Sequence, residues 1–156
     1  MDNGDRRLFY FEDYTPGFEV MGGQYAVRAE EIIEFGERFD PQPFHTDSAA
    51  AADSHWGGLV APGCLTFSIR SALTHQLEFR PALIAGLGVE KLDLPNPVRP
   101  GDQLALRLRV LSRRRSESRP DRGIVDLEYE IENQKNEVVL SMSASMLVAL
   151  RDPTRD

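Results

Sequence analysis

Three segments in the C-terminal half of the chain alternate apolar and polar residues one by one. Their apolar positions are Leu104, Leu106, Leu108 and Val110 in the first; Val125, Leu127, Tyr129 and Ile131 in the second; and Leu140, Met142, Ala144, Met146, Val148 and Leu150 in the third. Successive side chains of a strand point to opposite faces, so this alternation predicts three strands that bury one face. Polar connections between them, including residues 133–136, predict an antiparallel meander.

The segments before this meander predict further strands and helices. Residues 18–27 and 83–94 favour strands, whereas residues 29–39 carry apolar side chains at helical spacing with glutamates between them. Pro41 and Pro43 end that helix because proline cannot donate a backbone hydrogen bond. A short alanine-rich helix follows over residues 47–52, and Asp47 or Ser48 could cap it.

A second, longer helix is predicted from Gly63 to about Phe79. Its apolar stripe consists of Leu65, Ile69, Ala72, Leu73 and Leu77. A helix this apolar belongs in a protein interior. The order of elements therefore predicts an α+β fold, in which a curved antiparallel sheet packs against a long central helix. We expect one domain over residues 1–156, since this length suits a single hydrophobic core.

Composition argues against nucleic-acid binding, an internal disulfide, a zinc site and a membrane span. A net charge of −7 disfavours a general affinity for nucleic acid. The single cysteine, Cys64, cannot form an intramolecular disulfide and lacks the partners of a zinc site, so we expect a reducing, cytoplasmic compartment. The polar start of the chain does not resemble a signal peptide, and no run of about 18 apolar residues predicts a membrane span.

The loop over residues 39–47 carries the residues best suited to chemistry. Asp40 and His45 lie five positions apart on a segment stiffened by two prolines. A carboxylate and an imidazole held close together can divide a proton transfer, one accepting while the other donates. By spacing alone the pair remains open between acid–base catalysis and a structural role, because Asp-Pro commonly ends helices.

The wider pattern resembles the hydratase-2 motif of MaoC-like dehydratases, which have the hotdog fold. That motif runs Asp-x-Asn-Pro-x-His-x-Asp, followed by a short alanine-containing helix and a glycine at the start of the central helix. The matching residues are Asp40, Gln42, Pro43, His45 and Asp47, then residues 49–52, then Gly63. Gln42 departs from the pattern, since the family has asparagine there. The resemblance extends over about residues 9–150.

The resemblance implies roles for the matching residues. In dehydration, His45 would take the proton α to the thioester carbonyl, and Asp40 would protonate the leaving β-hydroxyl. The backbone N–H of Gly63 would stabilise the enolate-like oxygen. Ser71, or alternatively Ser68, would orient the acidic partner, and Gln42 would contact substrate or water.

Two further residues are candidates for substrate binding. Trp56 could cap an acyl pocket, although packing in a surface loop explains it equally well. Arg114 belongs to an arginine run, residues 113–115 with Arg119 and Arg122, in a predicted hairpin. It could contact the phosphates of coenzyme A or a carrier protein's phosphopantetheine arm, or simply be solvated. Cys64 as a nucleophile and His75 as a catalyst are less favoured than structural roles.

The resemblance implies reversible hydration of trans-2-enoyl thioesters to (R)-3-hydroxyacyl thioesters, with no metal, nucleotide or redox cofactor. The substrate would be an acyl-CoA or an acyl-carrier-protein thioester. Two alternatives share the fold: a hotdog acyl-CoA thioesterase and a non-catalytic acyl-CoA-binding protein. We also expect a homodimer or higher homo-oligomer, because a single curved sheet leaves its edges uncovered. The resemblance places the acyl pocket at the dimer interface.

Overall fold

A computed structural model describes residues 6–154 and contains a five-stranded antiparallel sheet. In spatial order its strands are β2 (Glu19–Ala26), β5 (Gln103–Arg115), β6 (Arg122–Glu132), β7 (Val138–Ala149) and β4 (Leu83–Asp93). A small parallel pair, β1 (Arg7–Phe9) and β3 (Phe79–Pro81), lies beside it. The helices are α1 (Ala29–Phe39), α2 (Pro43–Thr46), α3 (Ser48–Ala52) and α4 (Gly63–Thr74).

The predicted meander is confirmed as β5, β6 and β7. Along β6 every second residue is buried, as the alternating sequence requires. Leu108 pairs with Tyr129 and Val110 with Leu127, so the apolar side chains of neighbouring strands meet on one face. The connection over residues 133–136 is a tight turn in which the Asn136 N–H donates to the Asn133 carbonyl at 3.0 Å.

Helix α4 lies on the apolar face of the sheet and buries Leu65, Ile69 and Leu73 in the core. Strand β2 approaches it closely at a bulge. A Cβ on Gly23, which has φ +74°, would lie 2.9 Å from a methyl carbon of Leu73. Glycine is therefore needed here for both backbone conformation and space.

The prediction that the central helix extends to about Phe79 is wrong, because α4 ends at Thr74. Phe79 instead begins β3, and its ring stacks on Phe9 at 4.2 Å between ring centres. An aromatic cluster formed with a distant segment thus overrides the local helical pattern. Strands β1 and β3 were not predicted, since each has only three residues.

The predicted first helix coincides with α1, and the alanine-rich helix with α3. Asp47, rather than Ser48, caps α3 by accepting a hydrogen bond from the Ala50 N–H at 2.8 Å. Within the described range, no helix is both long enough and apolar enough to cross a membrane. The first five residues, which carry most of the polar start noted above, lie outside that range.

Candidate active site

The loop that carries Asp40 and His45 folds back on the end of α1. The Asp40 N–H donates to the Gly36 carbonyl at 2.9 Å, so the carboxylate lies at the C-terminus of α1. Pro43 then starts the single turn of α2, where a missing N–H carries no penalty. The His45 N–H donates to the Gln42 carbonyl at 2.9 Å, which fixes the turn between the two side chains.

The ring of His45 is held from both sides. It is buried, with 7% of its surface exposed, and its Nδ1 lies 2.7 Å from the backbone carbonyl of Val60. A carbonyl can only accept, so Nδ1 carries the hydrogen and Nε2 of the neutral ring has a free lone pair. Nε2 faces the Asp40 carboxylate, with 3.4 Å between Nε2 and Oδ2. The arrangement is a base and an acid placed side by side.

Gly36 of α1 allows the loop to lie this close to the helix. A Cβ at this position would lie 3.0 Å from the Cβ of His45 and 3.1 Å from its carbonyl oxygen. These separations are shorter than ordinary van der Waals contact. The absence of a side chain on Gly36 therefore sets where the imidazole lies.

A cavity of about 260 Å³ opens beside the imidazole of His45. Its inner walls are nearly fully buried, whereas Trp56 and Leu94 at its outer end are partly exposed. Its lining residues are Phe44, His45, Trp56, Val60, Ala61, Gly63, Thr66, Leu94, Pro95, Asn96, Pro97, Val98 and Val139. A mainly apolar cavity with a few polar groups suits a small organic ligand.

Gly63, the first residue of α4, brings a helix N-terminus to this cavity. The first N–H groups of a helix have no acceptor within the helix, and the helix dipole favours negative charge there. The hydrogen bonds of the first turn begin further along, where Leu65 and Thr66 donate to the Pro62 carbonyl. A Cβ on residue 63 would lie 2.5 Å from a methyl carbon of Leu94, so Leu94 packs directly over the glycine.

The structure brings together four of the predicted site residues. His45, Gly63 and Trp56 line the cavity, and Asp40 contacts His45. Phe44 lies 6.3 Å from Trp56 between ring centres and extends the aromatic wall.

The other three predicted residues, Gln42, Ser71 and Arg114, lie away from this cavity. Gln42 is exposed and does not line it. Ser71 lines a second cavity of about 380 Å³, between α4 and β4, together with Arg70 and His75. The alternative residue, Ser68, is exposed, and its hydroxyl donates to the Cys64 carbonyl at 3.0 Å. Within one chain, no serine of α4 reaches Asp40.

Arg114 lies on β5, paired with Ile124 of β6, and not at a loop tip. Arginines 113–115 all belong to this strand, because β5 continues five residues beyond the last apolar position of the alternating pattern, Val110. Arg113 donates to the backbone carbonyls of Phe11 and Glu12, so part of the run has a structural role. Arg114 lines a shallow depression with Asp126 and Ser145, separate from the cavity at His45.

Sequence reasoning missed three groups of the site. Thr66 is buried in the cavity wall one turn after Gly63, and a polar residue within an apolar helix face is the signal that marks it. Asn96, between two prolines, lines the cavity and donates to the Val138 carbonyl at 2.9 Å. The Val60 carbonyl that orients His45 has no sequence signal, since every residue has a carbonyl.

Comparison with known proteins places this geometry in a family. Residues 16–130 match the family model described as the MaoC like domain. The chain belongs to this family. The matched region includes the Asp40–His45 loop, the start of α4 and most of the sheet.

Similar proteins extend this result over most of the chain. The crystal structure of a MaoC-like dehydratase from Rhodospirillum rubrum superposes with a TM-score of 0.82 and 40% identity, covering 92% of this chain and 99% of that one. The protein YdeM of Bacillus subtilis is 28% identical over 88% of this chain and 96% of its own.

The (R)-hydratase from A. caviae involved in PHA biosynthesis matches with a TM-score of 0.67 and 25% identity, covering 87% of this chain and 96% of that one. The predicted hotdog fold is thereby confirmed for this MaoC-like chain. The family includes dehydratases and hydratases, so a hydro-lyase activity agrees with both the fold and the relatives.

Proposed function

We propose that the protein interconverts trans-2-enoyl thioesters and (R)-3-hydroxyacyl thioesters by acid–base catalysis between Asp40 and His45. The observation that carries this proposal is the fixed tautomer of His45. Its Nδ1–H is bound to the Val60 carbonyl, which leaves Nε2 as a base 3.4 Å from the Asp40 carboxylate. Hydration and dehydration need one group that accepts a proton while its neighbour donates one.

In the dehydration direction, Nε2 of neutral His45 takes the α-proton and the electrons of that C–H bond form the new double bond. The Cβ–O bond breaks, and protonated Asp40 gives its proton to the departing oxygen, which leaves as water. The pair then consists of an imidazolium and a carboxylate. Hydration reverses each step, since Asp40 accepts a proton from water and His45 returns one to Cα. The pair therefore carries one transferable proton in both directions, on Asp40 before dehydration and on His45 after it.

In dehydration, negative charge develops on the thioester oxygen after the α C–H bond breaks and before the Cβ–O bond breaks. We propose that the N–H of Gly63 stabilises this oxygen, because it lies at a helix N-terminus in the cavity wall beside His45. Trp56 would close the outer end of the cavity over the acyl group. Gln42, Ser71 and Arg114 do not reach this cavity in one chain, and any role in substrate binding would require contacts outside it.

The test is hydration of crotonyl-CoA, followed by the loss of absorbance of the conjugated enoyl group. We expect turnover by the wild type, and losses of about 100- to 10,000-fold in Asp40→Asn and His45→Ala. Asp53→Asn and His75→Ala change the same residue types outside the cavity and should retain activity. Dehydration of (R)- but not (S)-3-hydroxybutyryl-CoA would establish the stereochemistry.

Two results would overturn the proposal. No hydration across a panel of short- and medium-chain enoyl-CoA esters, with release of free thiol instead, would indicate a thioesterase. Thermal stabilisation by acyl-CoA esters without any turnover would indicate a binding protein.

We further propose that the protein works in a reducing, cytoplasmic compartment. We also propose that the functional protein is a homodimer whose two copies pair along β4. Strand β4 forms one edge of the sheet, and it and the residue after it expose large apolar side chains. These are Leu83, Ile84, Leu87, Val89, Leu92 and Leu94, each with 40–52% of its surface exposed. An apolar edge strand of this length is a site for pairing with another strand, and a second copy supplies an identical edge.

A further inference from the structure

Thr66 is a buried polar residue without a hydrogen-bond partner for its hydroxyl among residues 6–154. Only 3% of its surface is exposed, and it lines the cavity beside His45 and Gly63. Two other helical threonines, Thr46 and Thr74, each donate a side-chain hydrogen bond to a backbone carbonyl one turn earlier. Thr66 makes no such bond.

The fully enclosed side-chain atoms without a partner among the described residues are the Nε atoms of Arg70, Arg80 and Arg107, and the Thr66 oxygen is not one of them. The Thr66 oxygen therefore opens to the cavity that this residue lines. Three residues of the cavity wall, Val60, Val98 and Val139, have apolar side chains and are nearly fully buried. The Val60 carbonyl is engaged by His45, and that of Val98 by the Ala61 N–H. The hydroxyl is therefore available for a ligand that enters the cavity.

The position of Thr66 on α4 indicates which ligand atom it meets. Residues three apart on a helix lie on one face, and Cα–Cβ bonds tilt toward the N-terminus. The Thr66 side chain therefore leans back toward the first turn, where the N–H of Gly63 opens to the same cavity. Two donors at one helix N-terminus favour one oxygen atom that carries or develops negative charge.

We propose that Thr66 is a substrate-binding residue whose hydroxyl donates to the thioester oxygen, beside the N–H of Gly63. This assignment rests on the proposed hydratase function and adds a second donor to the oxygen site. The bond strengthens as the enolate-like charge forms, so Thr66 contributes more to the transition state than to binding of the ground state. Valine has nearly the same shape as threonine and lacks only the donor.

The experiment compares Thr66→Val and Thr66→Ser with the wild type in two measurements. For crotonyl-CoA hydration, we expect kcat to fall by about 100-fold in Thr66→Val and to recover largely in Thr66→Ser. For thermal unfolding without ligand, Thr66→Val should be about as stable as the wild type, because no hydrogen bond within the protein is lost. Thr74→Val is the matched control, since that hydroxyl donates to the Arg70 carbonyl at 2.9 Å, and activity should not change.

Binding of butyryl-CoA, a saturated ester that cannot be hydrated, separates this proposal from the proposed function. We expect calorimetry to give a dissociation constant about 5-fold weaker in Thr66→Val, the loss of one hydrogen bond to a neutral acceptor. If the wild type binds butyryl-CoA but hydrates no enoyl ester, the proposed hydratase reaction is wrong. In that case, weaker binding of butyryl-CoA by Thr66→Val still supports the Thr66 contact. Wild-type kcat and affinity in Thr66→Val would overturn the assignment. So would a wild type that neither binds nor hydrates these esters.

Discussion

At the residue scale, the proposed chemistry depends on how the imidazole of His45 is held. The Val60 carbonyl fixes the tautomer of His45, and the end of α1 places Asp40 against the remaining ring nitrogen. Neither constraint comes from the two side chains that we propose to react. Backbone atoms orient the ring, so a substitution outside the motif that moves this backbone should also lower turnover.

Gly36 provides a residue-scale prediction. Gly36→Ala would place a methyl group 3.0 Å from the His45 Cβ and push the ring from its position. We expect kcat for enoyl-CoA hydration to fall by about 100-fold, since displacements of about 1 Å can have effects of that size. Overpacking costs about 1–3 kcal/mol, partly offset by about 1 kcal/mol of gained helix propensity, so the variant should fold.

The control for this change is Glu37→Ala, at the next, exposed position of α1. Steady-state kinetics on both variants, with circular dichroism to verify folding, makes the comparison. Wild-type kcat in a folded Gly36→Ala variant would show that the close contact does not position His45.

At the element scale, two carboxylates hold neighbouring elements together. Asp47 matches the motif, yet its carboxylate caps α3. Asp126 joins three strands, because it accepts hydrogen bonds from Ser112 of β5 at 2.5 Å and Ser145 of β7 at 2.6 Å. Both carboxylates contribute to stability through the elements that they connect.

Replacing the α3 cap should reduce stability without affecting chemistry. Asp47→Ala removes the acceptor for the Ala50 N–H, and we expect a loss of about 1 kcal/mol in the free energy of unfolding. Asp47→Asn retains an acceptor and should lose less. Urea titration measures both, and Ser48→Ala tests the position that does not cap. A large loss of kcat in folded Asp47→Asn would contradict the capping role and indicate a catalytic one.

The Asp126 cluster predicts a pH-dependent contribution to stability. Hydrogen bonds from Ser112 and Ser145, together with the charge of Arg114, hold the pKa of Asp126 below its ordinary value of 3.8. A carboxyl with a lowered folded-state pKa stabilises the fold above the unfolded pKa, and this contribution disappears as pH falls through the folded pKa. The Ser112→Ala/Ser145→Ala variant should therefore be less stable than wild type at neutral pH, and the difference should shrink well below pH 3.8.

Chemical denaturation at several pH values makes this measurement. Ser143→Ala is the control, because its hydroxyl donates to the Glu90 carbonyl and not to a carboxylate. Its effect should not vary with pH. A difference for the double variant that stays constant from neutral to acidic pH would exclude the Asp126 explanation.

At the scale of the whole molecule, one chain has an asymmetric sheet. The β2 edge lies close to α4 at Gly23, which approaches Leu73, whereas the β4 edge exposes apolar side chains on both faces. Ser71 and the second cavity lie between α4 and this same edge. A second copy paired along β4 would cover the apolar edge and close that cavity.

The dimer proposal predicts that charge on β4 separates the copies. Leu87→Lys/Val89→Lys places two cations on the exposed edge, and lysine on an edge strand opposes pairing. We expect sedimentation velocity to give a dimer mass for the wild type and a monomer mass for this variant. Leu111→Lys, an equally exposed leucine on the interior strand β5, should remain dimeric. A monomeric wild type, or a variant of unchanged mass, would refute pairing through β4.

The sequence by itself determined the longer strands, the first helix and the acid–base pair that we propose. Strict alternation gave β5 to β7, helical spacing bounded by prolines gave α1, and the spacing of Asp40, His45 and Gly63 identified the motif. These signals are local, because a strand or helix repeats its own pattern every two or 3.6 residues.

Tertiary structure alone decided where α4 stops, which polar groups share the cavity, and which tautomer the neutral His45 ring adopts. Phe79 lies beyond the end of α4 and stacks on Phe9. Ser71 lines a different cavity from Gly63. The Val60 carbonyl selects the tautomer of His45. Each of these three outcomes depends on contacts between residues that lie apart in the chain. A local repeat in the sequence does not encode such contacts. A repeat in the sequence can specify an element, but only the packed chain specifies its neighbours.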